Sequence, residues 1–167
     1  KRDRNCPPLY EVLRTVSYDP ETGIFTAIRA TGTRKAGDQC GYADAAGYVK
    51  ISLNNKWVMA HRLAWFITHG ELPDGMIDHI NGNPSDNRIE NLRLATVAEN
   101  AWNMKRRATN TSGYKGVYWK KDEQKWCARI TVNGKRHSLG RHDTAEAAHS
   151  AYVAAAHKLH GEFARTS

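Results

Sequence analysis

Long apolar runs are missing from this chain. Among its 167 residues, no stretch approaches the roughly 20 consecutive apolar residues that a transmembrane helix needs. The first residues, Lys1-Arg2-Asp3-Arg4, are charged and lead to Pro7-Pro8 without the apolar segment of a secretory signal. These absences argue against membrane and secreted proteins, so we expect a soluble, cytoplasmic protein without a membrane partner.

Cysteine is also scarce. Cys6, Cys40 and Cys127 are the only cysteines, and they lie too far apart for a C-x-x-C pair. A zinc ribbon needs such pairs, and a disulfide framework needs an even set of closely spaced cysteines. The sequence therefore suggests neither, and we interpret each cysteine as a single buried or half-exposed thiol.

Acidic residues are rare in one segment, which is where the excess positive charge lies. The net charge is +8, and residues 105–143 contain 11 Lys and Arg against 3 Asp and Glu. The remaining residues contain 14 of each sign and are neutral overall. A concentrated basic segment favours a polyanionic partner, and nucleic acid is the usual one. A solvated charged face is the alternative.

The chain length allows one ordinary domain or two small ones. We predict a β-rich part with a polar motif at residues 1–107, a linker at 108–113 and a last domain at 114–167. Strand-like stretches at 23–26, 48–53 and 57–59 fall in the first part, with a turn at Asn54-Asn55. A helix is predicted from Ala60 to His69, ending at Gly70.

The motif region and the last domain also have clear element signals. Leu92-Arg93-Leu94 predicts a strand, and the capping box Thr96-x-x-Glu99 predicts a helix that reaches about Arg107. In the last domain we predict strands near 116–120, 126–132 and 135–140, with a hairpin turn at Asn133-Gly134. A final helix runs from Thr144 to just before Gly161. Its predicted apolar stripe is Ala148, Tyr152, Ala155 and Leu159.

A spaced set of polar residues follows Ile77. Asp78-His79 is followed by Asn91, 12 residues after His79, and by Asn100, 21 residues after it. With Ile80-Asn81-Gly82, Asp86-Asn87 and Leu92-Arg93, this set resembles the HNH endonucleases, in particular the free-standing phage and homing type. Asn100 stands where the family name has its third His, as homing-type members allow. The resemblance implies a ββα-metal core, a strand–loop–strand–helix unit that holds one metal ion.

The residue types in this set suit phosphodiester hydrolysis. A neutral His can take a proton from water near pH 7, and the resemblance makes His79 the general base. Asp78 and Asn100 offer hard oxygen ligands that suit Mg²⁺ or Mn²⁺, whereas zinc prefers Cys and His. By resemblance Asn91 holds the loop that aims His79. Arg93 clamps a phosphate or is a solvated charge.

Three nearby residues have a less specific interpretation. Asp86 and Asn87 are predicted to act as turn and cap residues rather than as ligands. His61, in the sequence Ala60-His61-Arg62-Leu63, is predicted to be a structural histidine.

The segment from Gly113 to Tyr152 resembles the AP2 DNA-binding domain. The resemblance rests on Gly113-Tyr114-Lys115-Gly116-Val117-Tyr118-Trp119, Lys125-Trp126-Cys127-Ala128, Leu139-Gly140 and Thr144-Ala145-Glu146-Ala147-Ala148. It implies a three-stranded sheet that reads the major groove and packs on one helix. The predicted DNA-binding residues are Lys115, Tyr118, Lys120, Lys121, Lys125, Trp126, Arg129, Thr131, Lys135 and Arg136. Trp126 has a core position as its alternative.

Together these features predict an α+β protein that acts on double-stranded DNA. The resemblance implies a metal-dependent endonuclease that leaves 5′-phosphate and 3′-hydroxyl ends, of a kind that phages encode for use in a bacterial host. A single set of site residues predicts a monomer that nicks one strand at a preferred site, with no protein partner inferred. Two alternatives stay open: a DNA-binding regulator whose nuclease site is inactive, and an RNA-binding or RNA-cutting protein.

Overall fold

The computed structural model describes residues 6–106 and 108–167. Within these ranges the protein has several small sheets and a few helices, so the mixed α and β composition is confirmed. The chain forms two compact units, Lys1–Leu94 and Ala95–Ser167. The predicted domain boundaries at 107 and 114 stay a prediction. Within the described ranges, every helix is too short or too polar to cross a bilayer.

The first unit contains short strands and two helices. Its elements are α1 (Leu9–Leu13), β1 (Val16–Tyr18), β2 (Phe25–Ala27), β3 (Gln39–Cys40), β4 (Tyr42–Ala43), β5 (Val49–Leu53), β6 (Lys56–Met59), α2 (Ala60–His69), β7 (Met76–His79) and a 3-10 turn (Ile89–Asn91). β8 (Leu92–Ala95) begins in this unit. The strands form three sheets, with the orders β1-β2-β3, β4-β5-β6 and β7-β8.

The core of the first unit lies under the β4-β5-β6 sheet. Ile51 and Leu53 alternate along β5 and are buried on the same face, as a period of two requires. They belong to the same core as Leu63 of α2 and Phe25 of β2. The first unit thus has its own hydrophobic centre, although it is built from strands of two to five residues.

The predicted hairpin and helix of the first unit are confirmed. Asn54 and Asn55 have φ values of 49° and 62°, in the left-handed region that a tight hairpin turn uses. α2 spans Ala60–His69 and ends at Gly70, whose φ is 80°. The shorter elements α1, β1, β3 and β4 carry too few residues for a periodic pattern, and the sequence did not indicate them.

The second unit pairs a three-stranded sheet with a long helix. It contains α3 (Val97–Asn103), β9 (Val117–Lys120), β10 (Lys125–Val132), β11 (Lys135–His142), α4 (Ala145–His160) and a 3-10 turn (Gly161–Phe163). β10 is the central strand, antiparallel to both neighbours. Asn133 and Gly134 form the predicted turn, with φ values of 50° and 75°.

The core of this unit lies between the sheet and α4. Ala148, Tyr152 and Ala156 are buried against Ala128 and Ile130 of β10. The predicted stripe was wrong at Leu159, which is 44% exposed. The buried positions recur every four residues, so Ala156 rather than Leu159 continues the row. Gly116, with a φ of 77°, lies so close to Tyr152 that a Cβ there would lie 2.1 Å from the ring.

α3 packs within the second unit. It begins at the predicted capping box, in which Thr96 and Glu99 each accept from the other's backbone N–H. The prediction that it reaches about Arg107 was wrong, because the helix ends at Asn103; Arg107 itself lies outside the described residues. The ammonium group of Lys115 donates to the carbonyl oxygens of Trp102 and Met104, both at 2.7 Å. It thereby provides hydrogen bonds to carbonyls at the C-terminal end of the helix.

An aromatic contact also anchors α3. The ring of Trp102 is stacked on that of His160, with centroids 4.3 Å apart and planes 7° from parallel. His160 is only 6% exposed, so this histidine of α4 belongs to the interior of the unit. A histidine near a helix terminus gives no signal of burial when its aromatic partner lies 58 residues away in sequence.

Candidate active site and basic sheet

Asp78 and His79 occupy the end of β7 and are both buried, at 4% and 5% exposure. β7 pairs with β8, and the N–H of Ile80 donates to the carbonyl of Asn91 at 2.9 Å. The chain between these strands forms a polar loop, and the predicted strand–loop–strand order is present. Asp78 and His79 are therefore two buried polar residues at the start of a loop. Buried polar groups need hydrogen-bond partners, and side chains provide them here.

Asn91 joins the two ends of this loop. Its Oδ1 accepts from the backbone N–H of Asn81 at 3.0 Å, and its Nδ2 donates to the carbonyl of Asp86 at 2.8 Å and to Asn81 Oδ1 at 3.1 Å. Such a fully used amide fixes the loop next to His79. The geometry matches the loop-holding role that we predicted for Asn91, and its part in catalysis stays a prediction.

An ion pair stiffens the same loop. Arg88 donates to both carboxylate oxygens of Asp86, at 2.9 and 2.8 Å, and Asn81 Nδ2 donates to Asp86 at 2.7 Å. The Arg88 hydrogen bonds hold the pKa of Asp86 down at about 2. Asp86 is therefore ionised at any pH at which a nuclease works, as its predicted turn and cap role requires.

Residues of the N-terminal β-rich part form hydrogen bonds with the loop between β7 and β8. The hydroxyl of Tyr18 donates to the carbonyl of Asn87 at 2.8 Å, and Ser85 Oγ donates to the carbonyl of Gly47 at 2.6 Å. Gly23 approaches the loop so closely that a Cβ would lie 2.6 Å from the backbone nitrogen of Arg88. The β-rich part of the first unit thus positions the site.

Asn87 contacts one ring nitrogen of His79 and so influences which nitrogen carries the proton. Its Nδ2 donates to the carbonyl of Ser85 at 3.1 Å, which turns its Oδ1 toward His79 Nε2, 3.4 Å away. Because this oxygen only accepts hydrogen bonds, the contact favours the tautomer with the ring proton on Nε2 and the lone pair on Nδ1. We predicted a turn role for Asn87 and missed this contact, because the sequence does not indicate which residue of the loop meets the ring.

Two further rings surround His79. The His61 ring stands edge-on to it, with centroids 5.2 Å apart, and the Tyr48 ring lies 6.0 Å away. Burial lowers the pKa of His79 below its usual value and lowers that of His61 to about 3. Both imidazoles are therefore neutral at pH 7. His61 is buried as expected of a structural histidine, but sequence reasoning did not place it beside His79.

Arg93 pairs with Asp78. Its Nε donates to Asp78 Oδ2 at 2.9 Å, and the two side chains are 13% and 5% exposed. The alternative interpretation of Arg93 as a solvated charge was therefore wrong. A charge partner of this kind offsets part of the cost of burying a carboxylate.

Asn100, the second predicted metal ligand, lies half-buried on α3. Clusters of three or more His, Cys, Asp and Glu side chains that could hold a metal do not occur in the described ranges. The predicted set of one carboxylate and one amide oxygen is of another kind, and its metal-binding role stays a prediction.

The exposed face of the second unit's sheet carries part of the predicted DNA-binding set. Thr131 is paired with Arg136 across β10 and β11, and both side chains are exposed on the face opposite α4. The guanidinium of Arg129 lies over the Tyr118 ring, 4.8 Å from its centroid. Cations and an aromatic ring therefore share one solvent-facing surface, which we call the basic sheet face, defined by Tyr118, Arg129, Thr131 and Arg136.

The remaining predicted DNA-binding residues lie elsewhere. Lys121 and Lys135 are exposed, whereas Lys120 is paired with Glu123 and Lys125 with Asp143. Trp126 packs against the core of the unit and meets Trp119 edge-on, with centroids 5.1 Å apart, so the core alternative describes its position.

Lys115 has a different environment from the other predicted DNA-binding lysines. Its ammonium group donates to three backbone carbonyls, those of Trp102, Met104 and Arg165, which uses its three N–H groups within the protein. Burial lowers the pKa of Lys115 to about 8, so its charged form predominates at neutral pH.

Two family models match the chain. One, described as HNH endonuclease, matches residues 58–102, and the other, described as AP2 domain, matches residues 112–162. The first covers β7, the polar loop, β8 and most of α3. The second covers the basic sheet and α4.

Two viral proteins are similar to much of this chain. "Protein 3.8" of Escherichia phage T7 is 42% identical over 106 residues, which are 63% of this chain and 87% of that protein. "Uncharacterized HNH endonuclease L560" of Acanthamoeba polyphaga mimivirus is 34% identical over 125 residues, which are 74% of this chain and 64% of that protein. No solved structure matches.

Proposed function

We propose that this chain, which belongs to the HNH endonuclease family and carries an AP2 domain after its HNH segment, hydrolyses phosphodiester bonds of double-stranded DNA. The observation that carries the proposal is the position of His79, buried at the end of β7 with its Nε2 3.4 Å from Asn87 Oδ1, a contact that favours the ring proton on Nε2. Its Nδ1 lone pair is then ready to accept a proton from water.

In the proposed reaction, Nδ1 of His79 takes one proton from a water molecule, and the water oxygen forms a bond to phosphorus. The bond between phosphorus and the 3′-oxygen breaks, and that oxygen leaves with its electron pair and gains a proton from solvent. The products are a 5′-phosphate and a 3′-hydroxyl. Asn91 and Asn87 act as positioning residues, because they fix the loop and the tautomer before the substrate arrives.

The donors that we assign to a metal fit a hard divalent cation. Asp78 supplies a buried carboxylate and Asn100 an amide oxygen, which suit Mg²⁺ or Mn²⁺ and not zinc. Such a cation, when bound, stabilises the negative charge on the phosphate and on the leaving oxygen. Arg93 holds the Asp78 carboxylate in place through Nε, and the predicted phosphate contact belongs to the rest of its guanidinium group.

The basic sheet face supplies the proposed DNA contacts. Arg129 and Arg136 offer charge to phosphates and bidentate donors to base edges, and Tyr118 offers a flat ring. We propose a monomer that nicks one strand, since one base and one metal perform one displacement. One relative is a phage protein, which supports a phage-encoded enzyme that works in the cytoplasm of its host.

A supercoiled plasmid that carries a preferred site tests this proposal. We expect open circles to form in Mg²⁺ at a rate linear in protein concentration, and EDTA or His79→Ala to stop their formation. Binding without cleavage by the unaltered protein would support the alternative of a DNA-binding regulator. Cleavage of duplex RNA but not of DNA would support the RNA alternative.

The same time course tests the monomer. Linear DNA should appear late or not at all. Direct formation of linear DNA, with a second-power dependence on protein concentration, would contradict a monomer that nicks one strand.

A further inference from the structure

A cavity of about 500 Å³ opens at the start of the second unit. The end of α3, the segment before β9 and one edge of the basic sheet face form its walls. Four of its lining side chains are cationic, and none of the described lining residues is acidic. These cations are Lys105, Arg106, Lys115 and Arg129.

The walls of this cavity are held by hydrogen bonds within the protein. Asn110 Nδ2 donates to the carbonyl of Tyr114 at 2.9 Å, and Ser112 Oγ donates to that of Val117 at 2.9 Å. Arg106 Nη1 donates to the carbonyl of Asn110 at 3.1 Å. The segment before β9 is therefore a wall with its own side-chain hydrogen-bond network.

The charge of the cavity selects its ligand. Bases are neutral, whereas a phosphodiester carries one negative charge and oxygens that accept from Arg and Lys. Thr109 and Thr111 add hydroxyl donors to the lining. The volume exceeds that of a phosphate alone and has room for a phosphate with its sugar. Because Arg129 belongs both to the cavity and to the basic sheet face, the cavity adjoins the surface that we assign to DNA binding.

We propose that this cavity holds one backbone phosphate of the bound DNA, with Lys105 and Arg106 as sequence-independent contacts. The proposal rests on the proposed function, which makes DNA the ligand. It assigns to the segment between the HNH motif and the AP2-like sheet a binding role beyond that of a connection.

The full-length protein with Lys105→Gln and Arg106→Gln tests the proposal. Affinity for duplex DNA is measured in EDTA, without cleavage, over a range of salt concentrations. Counterion release predicts that the slope of log affinity against log salt becomes shallower by about 0.9 for one lost phosphate contact. The loss should be equal for preferred and random sequences. The matched control carries Lys35→Gln and Lys158→Gln, which remove the same charge at exposed positions outside the cavity.

A second variant separates a built site from a general field of charge. Thr111→Phe narrows the cavity and leaves the net charge unchanged, so it should also weaken binding and reduce the slope. An unchanged slope in either variant, or an equal reduction in the control, would overturn the proposal. So would a reduction that occurs with duplex RNA and not with DNA.

A failure of the phosphate-site proposal can be distinguished from a failure of the proposed nuclease function. A protein that binds DNA with the expected slopes but never cuts it would contradict the nuclease proposal alone. A double variant that still nicks DNA in Mg²⁺ and keeps the full salt slope would overturn the phosphate site alone.

Discussion

The first unit buries its functional polar residues, whereas the second unit exposes them. Asp78, His79, Asn87 and Asn91 are each at most 5% exposed, and Arg129, Thr131 and Arg136 face solvent. The charges differ in the same way. Residues 1–94 contain 12 basic and 11 acidic residues, whereas residues 95–167 contain 13 basic and 6 acidic residues. The first unit is nearly neutral, and the second carries almost all of the net charge.

This contrast separates chemistry from affinity. A general base needs a fixed tautomer and a controlled pKa, which burial and a rigid loop provide. Phosphate binding needs accessible charge, and its strength depends on salt. Substitutions of His79 and its partners in the first unit should therefore change the rate of cleavage, and substitutions on the basic sheet face of the second unit should change affinity.

The largest effect is expected for His79→Ala. Loss of a general base typically costs about 10²–10⁴-fold in rate, while DNA affinity in EDTA should stay within about twofold of the original. His157→Ala, at an exposed position on α4, is the control. A variant that keeps the original turnover would show that His79 is not the base.

A smaller effect is expected for Asp78→Ala and Asn100→Ala. Each removes one proposed oxygen ligand, so the Mg²⁺ concentration at half-maximal rate should rise by about tenfold, the effect of ~1.4 kcal/mol of lost binding. Direct Mn²⁺ binding, followed by paramagnetic relaxation of water protons, gives a readout that does not depend on activity. Unchanged Mn²⁺ affinity in both variants would refute the ligand assignment, and so would full activity in Zn²⁺ but not in Mg²⁺ or Mn²⁺.

Asn87→Leu tests the proton position on His79. The hydrogen bond that Asn87 Oδ1 accepts from His79 favours the charged imidazole, so its loss should lower the pKa of His79 further and move the acidic limb of the pH–rate profile to lower pH. The plateau rate should nevertheless fall by about tenfold, because the variant lacks the hydrogen bond that favours the reactive tautomer of His79. Asn83→Ala, in the same loop, is the control.

For the unaltered protein, burial already lowers the pKa of His79, so the acidic limb should lie below pH 6.5. A structural loss alone in Asn87→Leu would lower the rate at every pH and leave the limb in place. That result would contradict the tautomer role of Asn87.

The smallest effect is expected for Arg136→Gln on the basic sheet face. If the side chain contacts one phosphate, the salt slope should become shallower by about 0.9 and the cleavage rate at saturating DNA should stay unchanged. A selective loss of affinity for one preferred sequence would instead identify Arg136 as a contact to a base. A lower rate at saturating DNA would break the separation between the two units.

Much of this architecture follows from local sequence patterns. The hairpin at Asn54-Asn55, α2 and the capping box at Thr96 depend on residues that are neighbours in sequence, and all three were predicted. The stop of α3 at Asn103 was not predicted, and the carbonyls of Trp102 and Met104 at this end accept hydrogen bonds from Lys115, a residue beyond the helix. Local signals do not indicate contacts of this kind.

The candidate site shows the same division. The motif indicated Asp78, His79 and Asn91, since their types and spacing are visible in the chain. The partners of His79 were not indicated, because Asn87, His61 and Tyr48 reach it from three different segments. Likewise, composition alone did not distinguish the exposed Arg136 from the internally bonded Lys115.

The packing of α3 has a consequence for protein engineering. The HNH family model extends to residue 102, yet α3 is attached to the second unit by Trp102, His160 and Lys115. A chimera joined between residues 107 and 114 would separate α3 from His160 and Lys115. The transplanted sheet would then lack the helix carbonyls that accept from Lys115. A fusion joined before Thr96 would transfer helix and sheet together, so recombination between such genes should preserve this longer cassette.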